Sequence, residues 1–190
     1  MKKTLFTIML VAGAAALTPA AAQAQKSAKA QVTVGGEVMY PTKDIVDNAV
    51  NSKDHTTLVA AVKAAGLVET LKTAGPFTVF APTNDAFENL PAGTVETLLK
   101  PENKKTLQAV LTYHVVPGRM GSKELMQAIK AGNGTATLKT VSGGTLTAMM
   151  NGDRNIILSD EKGNKSNISV YDVHQSNGVI HVLDKVMLPR

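Results

Sequence analysis

Four histidines, His55, His114, His174 and His181, are the side chains of this 190-residue chain best suited to proton transfer or metal binding. No cysteine accompanies them. Disulfides, thiolate metal sites and a cysteine nucleophile are therefore excluded. None of the histidines has the close spacing of a zinc-binding helix or knuckle. His174 and His181 flank Asn177-Gly178, where a hairpin could bring them near one another. Two histidines without a carboxylate or thiolate partner still make a poor metal set, so neither metal nor cofactor is expected. Ser142 is followed by Gly143-Gly144, but the Gly-x-Ser-x-Gly turn of a serine hydrolase is missing. Phosphate-binding and dinucleotide-binding glycine motifs are missing too. The chemistry-bearing residues thus point away from an enzyme.

Two polar residues stand out by their surroundings. His114 lies in the apolar run Val110-Leu-Thr-Tyr-His-Val-Val116. A histidine there is expected to be buried, with its ring nitrogens bonded inside the domain. Asn84 follows Pro82-Thr83 and precedes an acidic first turn with Asp85 and Glu88. Thr83 or Asn84 is expected to cap that helix, because their side chains accept from exposed amides and the helix dipole favours acids there. Asn133, Asn164 and Asn167 each match the N-glycosylation pattern, which would count as surface sites only in a eukaryotic secretory path.

Helices and strands must position these residues. Ile45 to Val50, led by Asp44, and Leu58 to Ala65, closed by Gly66, carry apolar positions at helical spacing. Thr94 starts a short helix. Pro101 suits the first position of another that carries Leu107, Val110 and Leu111. Phe77 to Ala81 reads as a strand opened by Pro76 and closed by Pro82. At Tyr113 the period shifts from helix toward strand. Beyond Thr135 the pattern is mostly strands: 135–142 and 145–150 about Gly143-Gly144, 156–158 and 168–173 about a polar turn, and 179–188. Helices followed by short strands define an α+β class, helices packed against an antiparallel sheet system.

Three segments then carry a resemblance. Gly75-Pro-Phe-Thr-Val-Phe-Ala-Pro-Thr-Asn-Asp-Ala-Phe-Glu-Asn-Leu-Pro91 and Asn177-Gly-Val-Ile-His-Val-Leu-Asp-Lys-Val-Met-Leu-Pro189 resemble the two signature boxes of the fasciclin (FAS1) domain. Leu111-Thr-Tyr-His-Val-Val-Pro117 between them resembles that family's Tyr-His segment. The resemblance covers roughly residues 37 to 190. It implies an antiparallel β-strand wedge with N-terminal helices packed along one side. Its motif residues here are Thr78, Phe80, Pro82, Thr83, Asn84, Phe87, Tyr113, His114, Asn177, Gly178 and His181, for which structural roles are expected. The family also implies adhesion. In animal members the Tyr-His segment has been implicated in integrin-dependent contact.

The ends and the composition set the context. Lys2 and Lys3, an apolar core from Leu5 to Leu17, and Ala22-Gln-Ala24 read as a signal peptide over residues 1–24, cleaved between Ala24 and Gln25, with cleavage after Ala22 as the near alternative. The apolar core is too short to span a bilayer, which takes about 20 residues. Residues 25–38, polar and broken by Gly35-Gly36, read as a flexible leader, and 39–190 as one domain. The net charge of +5 falls to +3 without Lys2 and Lys3. Basic residues are not concentrated with aromatics, and there is no Trp, so a nucleic-acid partner is not expected. The expectation is a secreted or periplasmic, non-catalytic monomer. It would mediate adhesion by binding a surface protein or matrix polymer, with no stable membrane insertion after signal cleavage. The alternative is a carrier holding a small lipophilic ligand in an apolar groove. An apolar pocket of about 300 Å³ or more would favour the carrier.

Overall fold

The computed structural model describes residues 31–73 and 75–190. The signal segment and the first part of the leader, residues 25–30, lie outside them. The end of the leader is corrected. Strands β1 (Val32–Val34) and β2 (Glu37–Met39) form an antiparallel hairpin with Val34 opposite Glu37. Gly35 and Gly36 both have positive φ, 60° and 78°. That is the geometry of a two-residue hairpin turn with positive φ at both central positions, so the glycines specify a turn and not a loose linker. Val34 and Met39 enter the core, and the ordered domain starts before residue 39.

Helices α1 (Ile45–Ala49), α2 (Thr56–Ala65) and α3 (Val68–Lys72) follow. The Asp44 carboxylate caps α1, accepting from the Asp47 amide at 2.8 Å. Gly66 ends α2 at φ 72°, a conformation that costs glycine nothing. Strand β3 (Phe77–Pro82) leads to α4 (Asn84–Glu88), α5 (Thr94–Leu99) and α6 (Lys104–Tyr113). After α6 come the short strand β4 (Val115–Pro117) and helix α7 (Ser122–Ala131). The last five strands are β5 (Thr135–Lys139), β6 (Thr145–Asn151), β7 (Asn155–Ser159), β8 (Lys165–His174) and β9 (Gly178–Leu183).

Strands β3 to β9 make one sheet in the order β4-β3-β9-β8-β7-β6-β5. Every pairing is antiparallel except β3 with β9, which run parallel from Phe77 beside Gly178 to Pro82 beside Leu183. The Val141 amide donates to the Val115 carbonyl at 2.8 Å, so the segment after β5 meets β4 and the sheet curls toward a barrel. The fold is α+β, as the residue pattern requires.

Two cores flank the central strands. Val79, Ala81, Ile180 and Val182 face the helical side with Ile45, Leu58, Ala61, Leu107, Val110 and Leu111. Phe80 and Leu183 face the other side with Tyr113, Leu125, Ile129, Leu146, Ile156 and Leu158. Both faces of β3 and β9 are therefore covered, which is why these segments are apolar at nearly every position. Helix α7 interrupts a half whose sequence pattern is mostly strands. Leu125 and Ile129, one turn apart, hold it to the sheet.

Candidate functional site

Phe80 and Phe87 are buried core side chains, and Pro82 ends β3 beside Leu183. The polar motif residues sit where chain segments must be joined. Thr83 caps α4, accepting from the Ala86 amide at 3.3 Å. Asn84 does not share that task. Its Oδ1 accepts from the Thr57 amide at 3.0 Å and the Thr56 hydroxyl at 3.2 Å, and its Nδ2 donates to the Lys53 carbonyl at 2.8 Å. Asn84 thus caps α2 from a distant part of the chain. Thr78 likewise bridges: its hydroxyl donates to the Gly118 carbonyl at 2.7 Å and accepts from the Met120 amide at 2.9 Å.

Tyr113 and His114 close α6. The Tyr113 hydroxyl donates to the Thr145 carbonyl at 2.6 Å and accepts from the Glu161 amide at 3.2 Å. A Cβ on Gly144 would come within 2.7 Å of the Tyr113 ring, so that turn admits only glycine. His114 is 3 % exposed. The Met187 amide donates to its Nε2 at 3.0 Å, which leaves the proton on Nδ1, and Nδ1 donates to the Val110 carbonyl at 2.8 Å. Burial pushes its pKa down to about 4, against a smaller opposing effect of the Val110 bond.

Asn177 and Gly178 form a second junction. Asn177 Oδ1 accepts from the Ile45 amide at 3.0 Å, and Nδ2 donates to the carbonyls of Leu71 at 2.7 Å and Thr73 at 3.2 Å. One side chain thus ties α1, the end of α3 and the start of β9. A Cβ on Gly178 would lie 2.4 Å from the Phe77 carbonyl oxygen. His181, fully buried, stacks on Phe80 with ring centroids 5.7 Å apart. Its Nδ1 accepts from the Asp172 amide and its Nε2 donates to the Met120 carbonyl at 2.8 Å. Burial lowers its pKa.

The structure therefore brings Thr78, Phe80 and His181 together around Met120. It places Tyr113 and His114, Thr83 and Asn84, and Asn177 and Gly178 at separate junctions. Both ring nitrogens of His181 are engaged with backbone, the Asp172 amide and the Met120 carbonyl. Among the described residues, no group of three or more His, Asp or Glu is placed to hold a metal ion.

Several joining residues carried no readable signal in the sequence. Arg119 donates to the carbonyls of Gln175 and Ser176 at 2.9 and 3.0 Å and to that of Gly178. Asp172, at φ 58°, caps α7 by accepting from the Ser122 amide and hydroxyl. Burial opposes its ionisation, but these bonds outweigh it and hold the carboxyl below its usual range. Asp160 accepts from the amides of Lys162, Asn164 and Leu188. Each partner lies far along the chain or in a turn too irregular to show a period.

Concavities accompany these junctions, among them an apolar cavity and a polar cleft. An apolar cavity of about 60 Å³ lies between the hairpin, α1, α2, α3 and the sheet, lined among others by Val34, Met39, Leu58, Val62 and Ile180, with His55 at its wall. A polar cleft of about 640 Å³ is lined by Lys43, Asp44, Asp47, Lys72, Arg119 and Asn177. Lys72 ion-pairs with Asp47 at 2.7 Å across it.

With this geometry in hand, the relatives of the chain are informative. The fasciclin domain family model matches residues 53–189. Protein sll1483 of Synechocystis is 48 % identical over 145 residues, covering 76 % of this chain and 73 % of that protein. A second Synechocystis protein, the uncharacterized sll1735, is 37 % identical over 76 % of this chain and 97 % of its own length. A solved FAS1 domain pair from the insect cell adhesion molecule Fasciclin I has the same fold at a TM-score of 0.67. It is 17 % identical, over 77 % of this chain and 51 % of that one. The chain belongs to the fasciclin domain family. The hairpin and α1 precede the segment that the family model matches.

Proposed function

We propose that this protein acts by adhesion. It binds another macromolecule, a surface protein or matrix polymer outside the cytoplasm, through its outer surface and without catalysis. One observation carries the reading: the polar motif residues with the most chemical potential, Asn84, His114, Asn177 and His181, spend their donors and acceptors on the chain itself. Asn177 lines the polar cleft, but its carboxamide is taken up there by Ile45, Leu71 and Thr73. The kinship with a domain of an insect cell adhesion molecule supports the same reading. Among the described residues no helix is long and apolar enough to cross a membrane. The signal segment supports a secreted or periplasmic location.

The carrier alternative fits less well. An apolar cavity of about 60 Å³ falls far below the roughly 300 Å³ at which small-molecule sites begin. The deciding experiment is to cross-link the protein in its native envelope, purify it and identify what is attached. Recovery of a protein or polysaccharide that also binds the immobilised pure domain supports adhesion. Recovery of the protein with a stoichiometric lipid or pigment and no macromolecule overturns it.

A further inference from the structure

The chain contains three Asn-Gly pairs, Asn133-Gly134, Asn151-Gly152 and Asn177-Gly178. Asn-Gly is the dipeptide in which the following amide nitrogen most easily reaches the asparagine side chain, because glycine offers no side chain to block the approach. The fold treats the three pairs differently.

At Asn177 the carboxamide is held by three hydrogen bonds, from Ile45 and to Leu71 and Thr73. It cannot rotate toward the Gly178 nitrogen unless that junction opens, and Gly178 itself is buried. At Asn133 the side chain is exposed, but the attacking nitrogen is occupied: the Gly134 amide donates to the Ile129 carbonyl at 2.9 Å in the C-terminal cap of α7. At Asn151 neither restraint applies. Asn151 and Gly152 are exposed at the tip of the β6–β7 hairpin. The Asn151 side chain has no hydrogen bond, and the Gly152 amide donates to nothing, among the described residues. The space around the Cα of Gly152 is open, with no atom within 4 Å of where a Cβ would stand.

We propose that Asn151 is a site of spontaneous deamidation, with water as the co-reactant. The Gly152 amide loses its proton to a solvent base, and its nitrogen attacks Cγ of Asn151. A C–N bond forms, the bond from Cγ to the side-chain nitrogen breaks, and ammonia leaves. Water then opens the cyclic imide at either carbonyl, giving aspartate or isoaspartate. No electrons are exchanged. The product carries one additional negative charge beside Asp153, and the isoaspartyl form lengthens the backbone at the hairpin tip by one methylene.

The test is to incubate the folded protein at neutral pH and 37 °C and to follow the three Asn-Gly peptides by mass spectrometry, with a parallel sample in denaturant. In the folded sample Asn151 should convert at least about tenfold faster than Asn177, since opening three hydrogen bonds costs at least one decade in population. In denaturant the three should convert at similar rates. Isoelectric focusing of N151Q should show no early acidic species. Faster or equal conversion at Asn133 or Asn177 in the folded protein would overturn the proposal. So would an Asn151 that stays intact while its denatured counterpart converts.

Discussion

His114 shows how much a single ring does here. It fills space against the sheet, joins the end of α6 to the Met187 amide, and stays neutral. His114→Ala should cost roughly 2–4 kcal/mol, combining cavity and unpaired-partner terms, read as a lower Tm. Binding of a recovered partner should persist below the melting range. A mutant that melts like the wild type but no longer binds would make His114 a contact residue instead. Protonation has a definite sign as well. The folded pKa of about 4 lies below the unfolded value of 6.5, so the unfolded chain takes up the proton first as pH falls. Stability is full above pH 6.5 and is lost on acidification toward pH 4, by about 3 kcal/mol from this residue. His181, shifted in the same direction by burial, adds to the loss as pH falls below 6.5. Thermal melts between pH 7.5 and pH 4.5 measure it, and a flat Tm across that range would contradict the buried neutral ring.

At the scale of elements, the joints are made across the chain and not within each helix. Thr83 caps its own helix, while Asn84 caps α2. Thr83→Ala should cost on the order of 1 kcal/mol. Asn84→Ala should cost more, because it leaves the Thr57 amide and the Lys53 carbonyl without their partner. Urea titrations of both variants rank them, and equal losses would place Asn84 in the local role suggested by its sequence position. This contrast also marks what the sequence could tell. The strand from Phe77 to Ala81, the cap at Asp44 and the stop at Gly66 are local patterns and legible, whereas the sequence leaves the cap of α4 open between Thr83 and Asn84. Asn84, Arg119 and Asp172 take their meaning from partners 27 to 59 residues away, at separations where no periodicity survives. Helix α7 escaped for a related reason: its N-terminal cap comes from Asp172 on β8. The hairpin at Gly35-Gly36 escaped because a short polar stretch with two glycines reads equally as turn or tether.

At the scale of the whole molecule, two apolar cores hold the described residues, and the sequence offers no cysteine for a disulfide. Neither reductant nor chelator should move Tm, since the sequence has no cysteine and, among the described residues, no group of three or more His, Asp or Glu is placed to hold a metal ion. A drop of several degrees with chelator would reveal a metal site. N-terminal sequencing of native protein should begin at Gln25, and recovery of intact Met1 in a membrane fraction would contradict cleavage.

The parallel pair at the centre of the sheet has a temporal side. Strand β9 lies between β3 and β8, and its residues from Gly178 on are neighbours of a strand that begins at Phe77. The ribosome releases the chain from its N-terminus, so the edge of β3 that β9 covers stays unpaired until about a hundred further residues have emerged. Long-range pairing of this kind folds slowly, because the loop must close before any contact rewards it. With this topology the sheet cannot be completed until nearly all of the chain has been released. A version of the protein truncated before Gly178 should accumulate as a protease-sensitive species, whereas one restored through Leu188 should become resistant.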